Sequence, residues 1–423
     1  MARVKVLVFP CGSENASEIH QALMHSVHVE LYGASSVDDH GRFRFERYRG
    51  GLPRVDAPDF DRVFIDLLRA WDISLVFATH DTVQEYLAIR AAQFGITLVN
   101  GDPFAVKVAR RKSRTYELFR EYVWSPAVYS SIGAVSHWPV LVKPDLGQGG
   151  QGVCKVDGPE EAAVAMAQLS EPLLVEYLPG EEITVDCFTD RQGGVLWVGP
   201  RTRERIRAGI SMRSQHLAIE PEIQEIVLTV NARLRLRGPW FVQLKRDCTG
   251  GWKLLEISCR VAGTMVAQRA KGINLPLMAV HDYLERDLMV LPQDGVNMVE
   301  RRIETVAQLN YVFDSVYIDF DETLVLDGKT VPSAMRFIYR MLELGKRLVL
   351  ISRHKGSLVE ALAAARISPL VFSEIIHLMD GELKSNYVSP NSIFIDNHFP
   401  ERLDVSRVCG VPVFDLDALE FFN

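Results

Sequence analysis

Hydrophobic and polar positions alternate in blocks along the first hundred residues, and each block fits one strand or one helix. Val4 to Pro10 is a continuous apolar run, which is typical of a strand buried on both faces. Three further apolar runs, HVELYGAS, SLVFATH and ITLVNG, are separated by segments of helical character. Because parallel strands need crossover helices, this alternation predicts a doubly wound α/β sheet over residues 1–103.

The pattern changes after residue 103. The segment FAVKVARRKSRTYELFREY has apolar residues three and four positions apart, which predicts one helix. Short strands with glycine-rich turns follow and favour antiparallel hairpins up to residue 291. Residues 292–309 show no strong period, so we expect a linker there. Residues 310–423 return to strand–helix alternation and predict a smaller third domain.

Composition narrows the class of protein. The chain has 423 residues, of which 48% are hydrophobic and 24% charged, values typical of a globular chain of about three domains. No apolar run is long enough for a membrane span. The net charge of −7 argues against a nucleic-acid partner, and six scattered cysteines without a CxxC pair favour reduced thiols and a cytoplasmic location. A homo-oligomer is left open.

Three segments carry the first candidate site. In VLVKPDLGQGGQGV, a strand delivers Lys143 to a loop whose glycine N–H groups can approach phosphate oxygens, although a plain hairpin turn could use the same glycines. LLVEYLPGEEITVD ends a strand at Glu176 and then turns. FVQLKRDCTGGWKLLEISCR places Gln243 and Glu256 on adjacent strands. An amide oxygen and a carboxylate, completed by waters and phosphate oxygens, suit Mg²⁺.

In this order and spacing, the three segments resemble the ATP-grasp superfamily, and carbamoyl-phosphate-synthase-like carboxylate–amine ligases in particular. The resemblance implies a pre-ATP-grasp domain at residues 1–103 and an ATP-grasp domain at 104–291, with ATP and Mg²⁺ as cofactors. Small-molecule carboxylate and amine substrates are also implied. The carboxylate would take the γ-phosphoryl group of ATP to form an acyl phosphate, and the amine would then displace phosphate to give an amide.

The resemblance also implies roles for single residues. Phosphate binding is assigned to Lys112, Lys143 and the loop glycines Gly149, Gly150 and Gly152. The hinge that contacts adenine is assigned to Glu176, Tyr177 and Leu178. Glu182 is assigned to the ribose hydroxyls. The metal ligands are assigned to Gln243, Glu256 and Ser258, and contact with the phosphates or the acyl phosphate to Arg260. Ser258 stands where the family has asparagine, which weakens the second metal position and makes Glu256 more important.

Two further patterns have less specific interpretations. The run RTRERIRAGISMR places Arg201, Arg203 and Arg205 on one face of a predicted strand. Arginine forks match carboxylates and phosphates, which makes these residues candidate substrate ligands, but a charged edge strand that resists aggregation is an equal alternative. His80 and Asp81 end another predicted strand, where we expect a polar pair that lines the cleft between domains.

The third domain has its own group of polar residues. Asp319 and Asp321 end an apolar strand in SVYIDFDETL, and two carboxylates this close imply a cation such as Mg²⁺. A capped turn would explain this segment alone. Ser352 and Asp396 end later strands, and Lys384 lies in a polar segment between them.

This second ordered set resembles the haloacid-dehalogenase (HAD) superfamily of phosphohydrolases, over residues 310–423. The resemblance implies a nucleophile, Asp319, and a general acid/base, Asp321. Thr323 and Ser352 would contact the phosphoryl group of a phosphorylated substrate, and Lys384 would neutralise it. The metal is assigned to Asp319, Asp321 and Asp396, helped by Glu401 because Asn397 stands where some members have a second aspartate. The short connection after Asp321 predicts a capless domain.

The leading hypothesis is a bifunctional enzyme, an ATP-dependent ligase joined to a phosphatase. One alternative is kinase-like phosphoryl transfer without ligation. Another is a nucleotide-binding scaffold in which catalysis is degenerate at Ser258 and Asn397.

Overall fold

The structure is a computed structural model that describes residues 3–147, 149–207, 209–379 and 381–422. Met1 and Asn423, the outer limits of the first and third predicted domains, lie outside these residues. The chain forms two compact units, Met1–Arg302 and Ile303–Asn423, and each has hydrophobic cores of its own. Among the described residues, no helix has both the length and the apolarity that crossing a membrane requires.

The first unit begins with alternating strands and helices. They are β1 (Val4–Phe9), α1 (Glu14–Leu23), β2 (Val29–Ala34), β3 (Arg47–Arg49), α2 (Phe60–Trp71), β4 (Leu75–Ala78), α3 (Asp81–Phe94) and β5 (Thr97–Leu98). The strands form a parallel sheet in the order β3-β2-β1-β4-β5, as the sequence predicts. Leu7 and Phe9 of β1 enter one core, whereas Val6 and Val8 enter another. Both faces of β1 are therefore covered, which explains its unbroken apolar run.

Two short helices, α4 (Pro103–Arg110) and α5 (Lys112–Leu118), replace the single helix that the periodicity predicts. Arg111 between them is extended, with φ −116° and ψ 121°. Its guanidinium lies 2.8 Å from a carboxylate oxygen of Asp145 and 3.1 Å from one of Glu171. Asp145 also accepts hydrogen bonds from the backbone N and Oγ of Ser113. These tertiary contacts outweigh helix propensity and place Lys112 at the start of α5.

An antiparallel sheet follows. Its region contains β6 (Val128–Tyr129), β7 (Val140–Pro144), β8 (Cys154–Val156), α6 (Pro159–Ala167) and β9 (Pro172–Glu176). The strand order is β6-β9-β7-β8, and β7 and β8 form the hairpin whose loop contains the glycines. Val140 and Val142 are fully buried in the core that Ala162 of α6 completes.

The remainder of the first unit contains two more sheets. Its elements are β10 (Glu182–Thr189), β11 (Val195–Thr202), β12 (Glu204–Arg207), β13 (Ile210–Gln215), α7 (Pro221–Leu234), β14 (Gly238–Arg246), β15 (Trp252–Ser258), α8 (Val266–Ala270), α9 (Leu275–Tyr283) and β16 (Met298–Glu300). The larger sheet has the order β11-β10-β14-β15 and the smaller one β12-β13-β16, and the strand pairs in both are antiparallel. The segment 292–309, which the sequence predicts as a linker, thus contributes β16 to the first unit.

The second unit is a parallel α/β sheet. Its elements are β17 (Ser315–Ile318), β18 (Val325–Leu326), β19 (Lys329–Thr330), α10 (Pro332–Glu343), β20 (Arg347–Ser352), α11 (Leu358–Ala364), β21 (Glu374–His377), β22 (Ser392–Ile395), α12 (Phe399–Cys409) and β23 (Val413–Phe414). The order β21-β20-β17-β22-β23 places β17 at the centre, between β20 and β22. The short hairpin β18–β19 occupies the connection between β17 and α10.

Candidate active site

Two cavities meet inside the first unit. Cavity A, of about 320 Å³, is lined from β7, β9, β10, β14 and β15. Cavity B, of about 430 Å³, is lined from the start of α1, the end of β4, and β14, β15 and the segment that follows. Arg203, Gln243 and Glu256 line both cavities. The predicted nucleotide-site residues that line cavity A are Lys112, Lys143, Gly149, Gly150, Glu176, Tyr177, Leu178, Glu182, Gln243 and Glu256.

A larger open groove of about 1110 Å³ runs along α5 and the segment after it. It includes Glu176 but neither of the two predicted phosphate-binding lysines. Lys112 and Lys143 therefore line cavity A rather than this groove.

Two lysines make one end of cavity A cationic. Lys143 is 5% exposed, and its Nζ donates a 2.6 Å hydrogen bond to Tyr116, whose hydroxyl donates in turn to the carbonyl of Leu255. Burial and, to a smaller extent, the charge of Lys112 lower the pKa of Lys143 to about 7, against the opposing effect of Glu256. Burial also lowers the pKa of Lys112. An anion in cavity A would relieve both costs, since it stabilises the charged forms.

The loop between β7 and β8 needs its glycines. Gly149, Gly150 and Gly152 have φ values of 65°, 75° and 71°, a region that other residues rarely adopt. A Cβ at Gly209 would lie 2.4 Å from the Cα of Gly149, so the loop touches the β12–β13 turn backbone to backbone. Gly152 lies behind the loop, where a Cβ would meet Leu169 at 3.1 Å. The loop thus borders cavities A and B with exposed backbone.

The hinge residues and Glu182 also line cavity A. The carboxylate of Glu176 accepts a 3.1 Å hydrogen bond from the backbone N of Ala127, and Tyr177 and Leu178 continue along the wall. Glu182 is already paired, because Arg203 Nε lies 2.7 Å from its carboxylate and Lys245 lies at 3.9 Å. A ribose would therefore share Glu182 with Arg203.

Gln243 and Glu256 face each other across β14 and β15, next to a shift in strand register. Burial raises the pKa of Glu256, and the charge of Lys112 opposes this effect. Within the described part of the chain, neither side chain has an ion pair or hydrogen bond that would compete with a ligand. The amide and carboxylate oxygens therefore fit Mg²⁺, with the remaining positions left to phosphate oxygens and water.

Asp81, by contrast, forms hydrogen bonds with both Ser258 and Arg260. The sequence pattern assigns no chemical role to Asp81. Ser258 Oγ donates to Asp81 at 3.1 Å, and Arg260 makes two bonds to the same carboxylate at 2.8 and 2.9 Å. Burial raises the pKa of Asp81, but the charge and hydrogen bonds of Arg260 outweigh it and bring the pKa to about 2. Ser258 lines neither cavity, and its hydroxyl donates to Asp81, so its assignment to the metal stays a prediction.

The arginine run does not form one face. Arg201 is 2% exposed and pairs with Asp186 at 2.7 Å, and Gln268 donates to the same carboxylate. Arg203 lies between β11 and β12 and lines both cavities. Arg205 has a φ of 48°, which turns the strand, and this exposed residue pairs with Glu300. The predicted shared face is wrong because the strand breaks, and Arg203 is the member best placed to meet a ligand.

The second unit gathers charge at the carboxyl ends of β17 and β22. Lys384 Nζ donates to Asp319 and to Asp396, both at 2.6 Å, and all three side chains are less than a tenth exposed. Burial raises the pKa of Asp319, and the charge of Asp396 raises it further, although Lys384 opposes both effects. These three predicted residues therefore form one buried cluster.

The other predicted residues of this unit surround the cluster unevenly. Asp321 is exposed and its carboxylate lies 2.9 Å from Nδ1 of His354. The hydroxyl of Thr323 interacts with Asn397. Ser352 is 1% exposed, and its Oγ has no hydrogen-bond partner among the described residues. A buried hydroxyl without a partner at a strand end is a vacant donor for an anion.

The predicted metal set is not assembled in the second unit. Within the described residues, no three His, Cys, Asp or Glu side chains converge as a metal site. Glu401, expected to assist Asp396, instead pairs with Arg353. Asp396 and Asp319 share Lys384, so a cation here would need oxygens from the substrate or water as well.

Comparisons with known proteins bear on the first unit. The model of a family described as "ATP-grasp in the biosynthetic pathway with Ter operon" matches residues 168–306. An L-amino acid ligase from Bacillus licheniformis superimposes with a TM-score of 0.55 at 16% identity, over 67% of this chain and 74% of that one. N5-carboxyaminoimidazole synthetase from Staphylococcus aureus gives a TM-score of 0.56 at 12% identity, over 68% and 79%.

The first unit has the ATP-grasp fold. D-alanine–D-alanine ligase from Fusobacterium nucleatum is a curated relative, 26% identical over 98 residues. The match spans 23% of this chain and about a third, 34%, of that ligase. The two superpositions cover 67% and 68% of this chain. The first unit, Met1–Arg302, makes up a similar fraction of the chain.

Sequence reasoning missed Asp81 as a partner of the ATP-grasp residues. The available signal was positional, because Asp81 follows β4 at the carboxyl edge of a parallel sheet, where ligands of open α/β sheets bind. The structure places His80 and Asp81 in cavity B. The contact of Asp81 with Arg260, 179 residues away, depends on tertiary packing that the local pattern does not encode.

The burial of Lys143 predicts a stability effect. A charged Lys143 is costly in the folded chain but not in the unfolded chain, whose lysine pKa is about 10.4. At pH 6.5 both states carry the charge, so Lys143→Met should stabilise the ligand-free ATP-grasp unit by on the order of 3 kcal/mol. This gain in stability should shrink as the pH approaches 10. Near that pH, loss of the proton of Lys143 on folding costs the wild type almost no free energy.

Urea unfolding followed by tryptophan fluorescence measures this effect, since all six tryptophans lie in the ATP-grasp unit. Lys107→Met, at an exposed position on α4, is the matched control and should change little. A Lys143→Met gain that is absent, or that is equal at pH 6.5 and pH 9.5, would contradict the assignment.

Proposed function

We propose that the ATP-grasp unit is an ATP-dependent ligase that joins a carboxylate to an amine through an acyl phosphate. One observation carries this proposal: the cationic cavity A and the polar cavity B share Gln243, Glu256 and Arg203. A triphosphate in cavity A would end where a second substrate in cavity B begins. Phosphoryl transfer between two bound molecules needs this juxtaposition.

The similar proteins support the same reaction class. D-alanine–D-alanine ligase and L-amino acid ligase are both named as ligases of amino acids. We therefore propose amino acids or similar small carboxylates and amines as substrates. The coverage of that curated relative is partial, so the substrate identity rests on the cavities of this chain.

The chain's own side chains have separate tasks in this reaction. A carboxylate oxygen of the substrate attacks the γ-phosphorus and ADP leaves; the amine nitrogen then attacks the acyl carbon, phosphate leaves, and the amine loses its proton to solvent. Lys112 and Lys143 bind the phosphate oxygens, and the β7–β8 loop excludes water. Gln243 and Glu256 would hold Mg²⁺, which when bound neutralises phosphate charge.

We propose in addition that the second unit is a capless HAD-type phosphatase. Two observations favour this assignment: Lys384 joins Asp319 to Asp396 at the centre of a parallel sheet, and the buried Oγ of Ser352 has no partner among the described residues. Asp319 would attack the phosphorus of a phosphate ester while Asp321 protonates the leaving oxygen. Water would then hydrolyse the aspartyl phosphate and restore the carboxylate.

The ligase proposal predicts the effect of changing Glu256. Glu256→Gln removes the only carboxylate of the proposed metal pair, so ATP-dependent amide formation should fall by about 100-fold or more. The assay incubates the full chain with MgATP and a panel of amino acids, and follows ADP and amide by mass spectrometry. Glu225→Gln, an exposed change on α7, is the matched control and should retain activity.

The same assay separates the alternatives. Amide formation that survives Glu256→Gln would contradict the site. A phosphorylated substrate that persists in the presence of amines would show kinase-like transfer instead of ligation. Tight ATP binding without turnover on any substrate would identify a nucleotide-binding scaffold.

The phosphatase proposal predicts Mg²⁺-dependent hydrolysis of p-nitrophenyl phosphate that Asp319→Asn reduces by about 1,000-fold or more, because the nucleophile is lost. Activity should fall at acid pH, since burial raises the pKa of Asp319 and its protonated form cannot attack. Asp327→Asn, in the β18–β19 turn, is the control. Equal hydrolysis by Asp319→Asn and the wild type would remove Asp319 from this role.

A further inference from the structure

Asp81 is a charged residue of cavity B that the proposed reaction leaves without a task. It begins α3, directly after the end of β4, and its carboxylate accepts one hydrogen bond from Ser258 and two from Arg260. These bonds connect the parallel sheet of the first unit to the end of β15. Asp81 thus contacts the strand that carries Glu256 without being near it in sequence.

Three neighbours fix the guanidinium of Arg260. Asp81 holds one edge, the ring of Phe241 lies 5.6 Å from the guanidinium carbon, and Nη1 donates to the carbonyl of Val261 at 3.3 Å. An arginine has five N–H groups, and these contacts use three of them. One N–H on each terminal nitrogen is left for an anion in cavity B, which Arg260 lines.

The backbone that carries Arg260 is equally constrained. Val261, Ala262 and Met265 are buried in the same core as Val6 and Val8 of β1. The main chain at Arg260 is therefore fixed, and its movement cannot carry the guanidinium toward a ligand. An arginine fixed in this way binds an anion with little loss of side-chain entropy.

The hydroxyl of Ser258 donates its one hydrogen bond to the carboxylate of Asp81. The side chain is 5% exposed, which leaves little room for a solvated metal beside it. Gln243 and Glu256, whose oxygens are uncommitted, are better placed to bind Mg²⁺. Serine at position 258 is thus explained by its contact with Asp81.

We propose that Asp81 is a positioning residue that holds Arg260 as a preformed receptor for the phosphoryl group of the acyl phosphate, and that Ser258 supports Asp81 instead of binding metal. This inference rests on the proposed ligase function of the same site. Without the carboxylate, Arg260 would lose its fixed orientation, and Ser258 would lose its partner.

The experiment uses inorganic phosphate as the probe, with the full chain saturated with MgADP. Calorimetry measures the phosphate affinity of the wild type, Asp81→Asn, Ser258→Ala and the control Glu85→Gln, which makes the same change as Asp81→Asn one turn further along α3. Asp81→Asn should weaken phosphate binding by about tenfold or more, because a charge-assisted contact that orients Arg260 is lost. ADP affinity should stay within about twofold, since Asp81 lies outside cavity A.

A second measurement tests Ser258 directly. Electron paramagnetic resonance of Mn²⁺ gives the metal affinity of the enzyme–ADP complex. Ser258→Ala should leave this affinity within about twofold of the wild type and weaken phosphate binding by about two- to fivefold, the effect of one lost hydrogen bond. Glu85→Gln should change neither affinity.

Three results would overturn the inference. The first is that the wild type does not bind phosphate. The second is that Asp81→Asn binds phosphate as tightly as the wild type. The third is that Ser258→Ala lowers the Mn²⁺ affinity by tenfold. Thermal unfolding of each variant shows whether a loss of phosphate affinity is caused by misfolding. If Asp81→Asn is misfolded, the phosphate affinity of Ser258→Ala tests the inference instead. Phosphate binding is measured without a carboxylate or an amine, so a failure of ligation in the earlier assay leaves this result unaffected.

Discussion

Burial of opposite charges around Glu256 is the constraint on which the rest of the first unit depends. Lys143 on one side is buried, and Lys112 and Arg260 are partly buried, so each charge is costly without a partner. Arg260 has its partner in Asp81, whereas the two lysines have no carboxylate within ion-pair distance among the described residues. The two lysines therefore suit a polyanion in cavity A, whereas Arg260 in cavity B is held in place by Asp81 before any anion binds.

The strand pairs explain how this arrangement is built. β14 and β15 place Gln243 and Glu256 opposite each other, while β7 and β9 bring Lys143 and the hinge to the same cavity. The end of β4 then supplies Asp81 from a different sheet. No single segment contains the site, and three different sheets contribute side chains to it.

Much of this could be predicted from sequence because local patterns determine it. The unbroken apolar run of β1 and the glycines at positive φ follow from burial and sterics. Three features could not be predicted, since each depends on a partner elsewhere in the chain. They are the helix break at Arg111, the ion pair of buried Arg201 with Asp186 and the hydrogen bond from Ser258 to Asp81. In the second unit, Asp319, Lys384 and Asp396 come together as the motif order predicts, but Asp321 and Glu401 have other partners.

The central claim is that a triphosphate in cavity A ends at Gln243 and Glu256, where cavity B begins. A crystal structure of the full chain with a non-hydrolysable ATP analogue and Mn²⁺ tests it most directly, because the anomalous signal of Mn²⁺ locates the metal. We expect a metal peak between the terminal phosphates and the side-chain oxygens of Glu256 and Gln243, with Lys143 on the phosphates. A nucleotide in the groove along α5, or a metal that does not contact Glu256, would contradict the account.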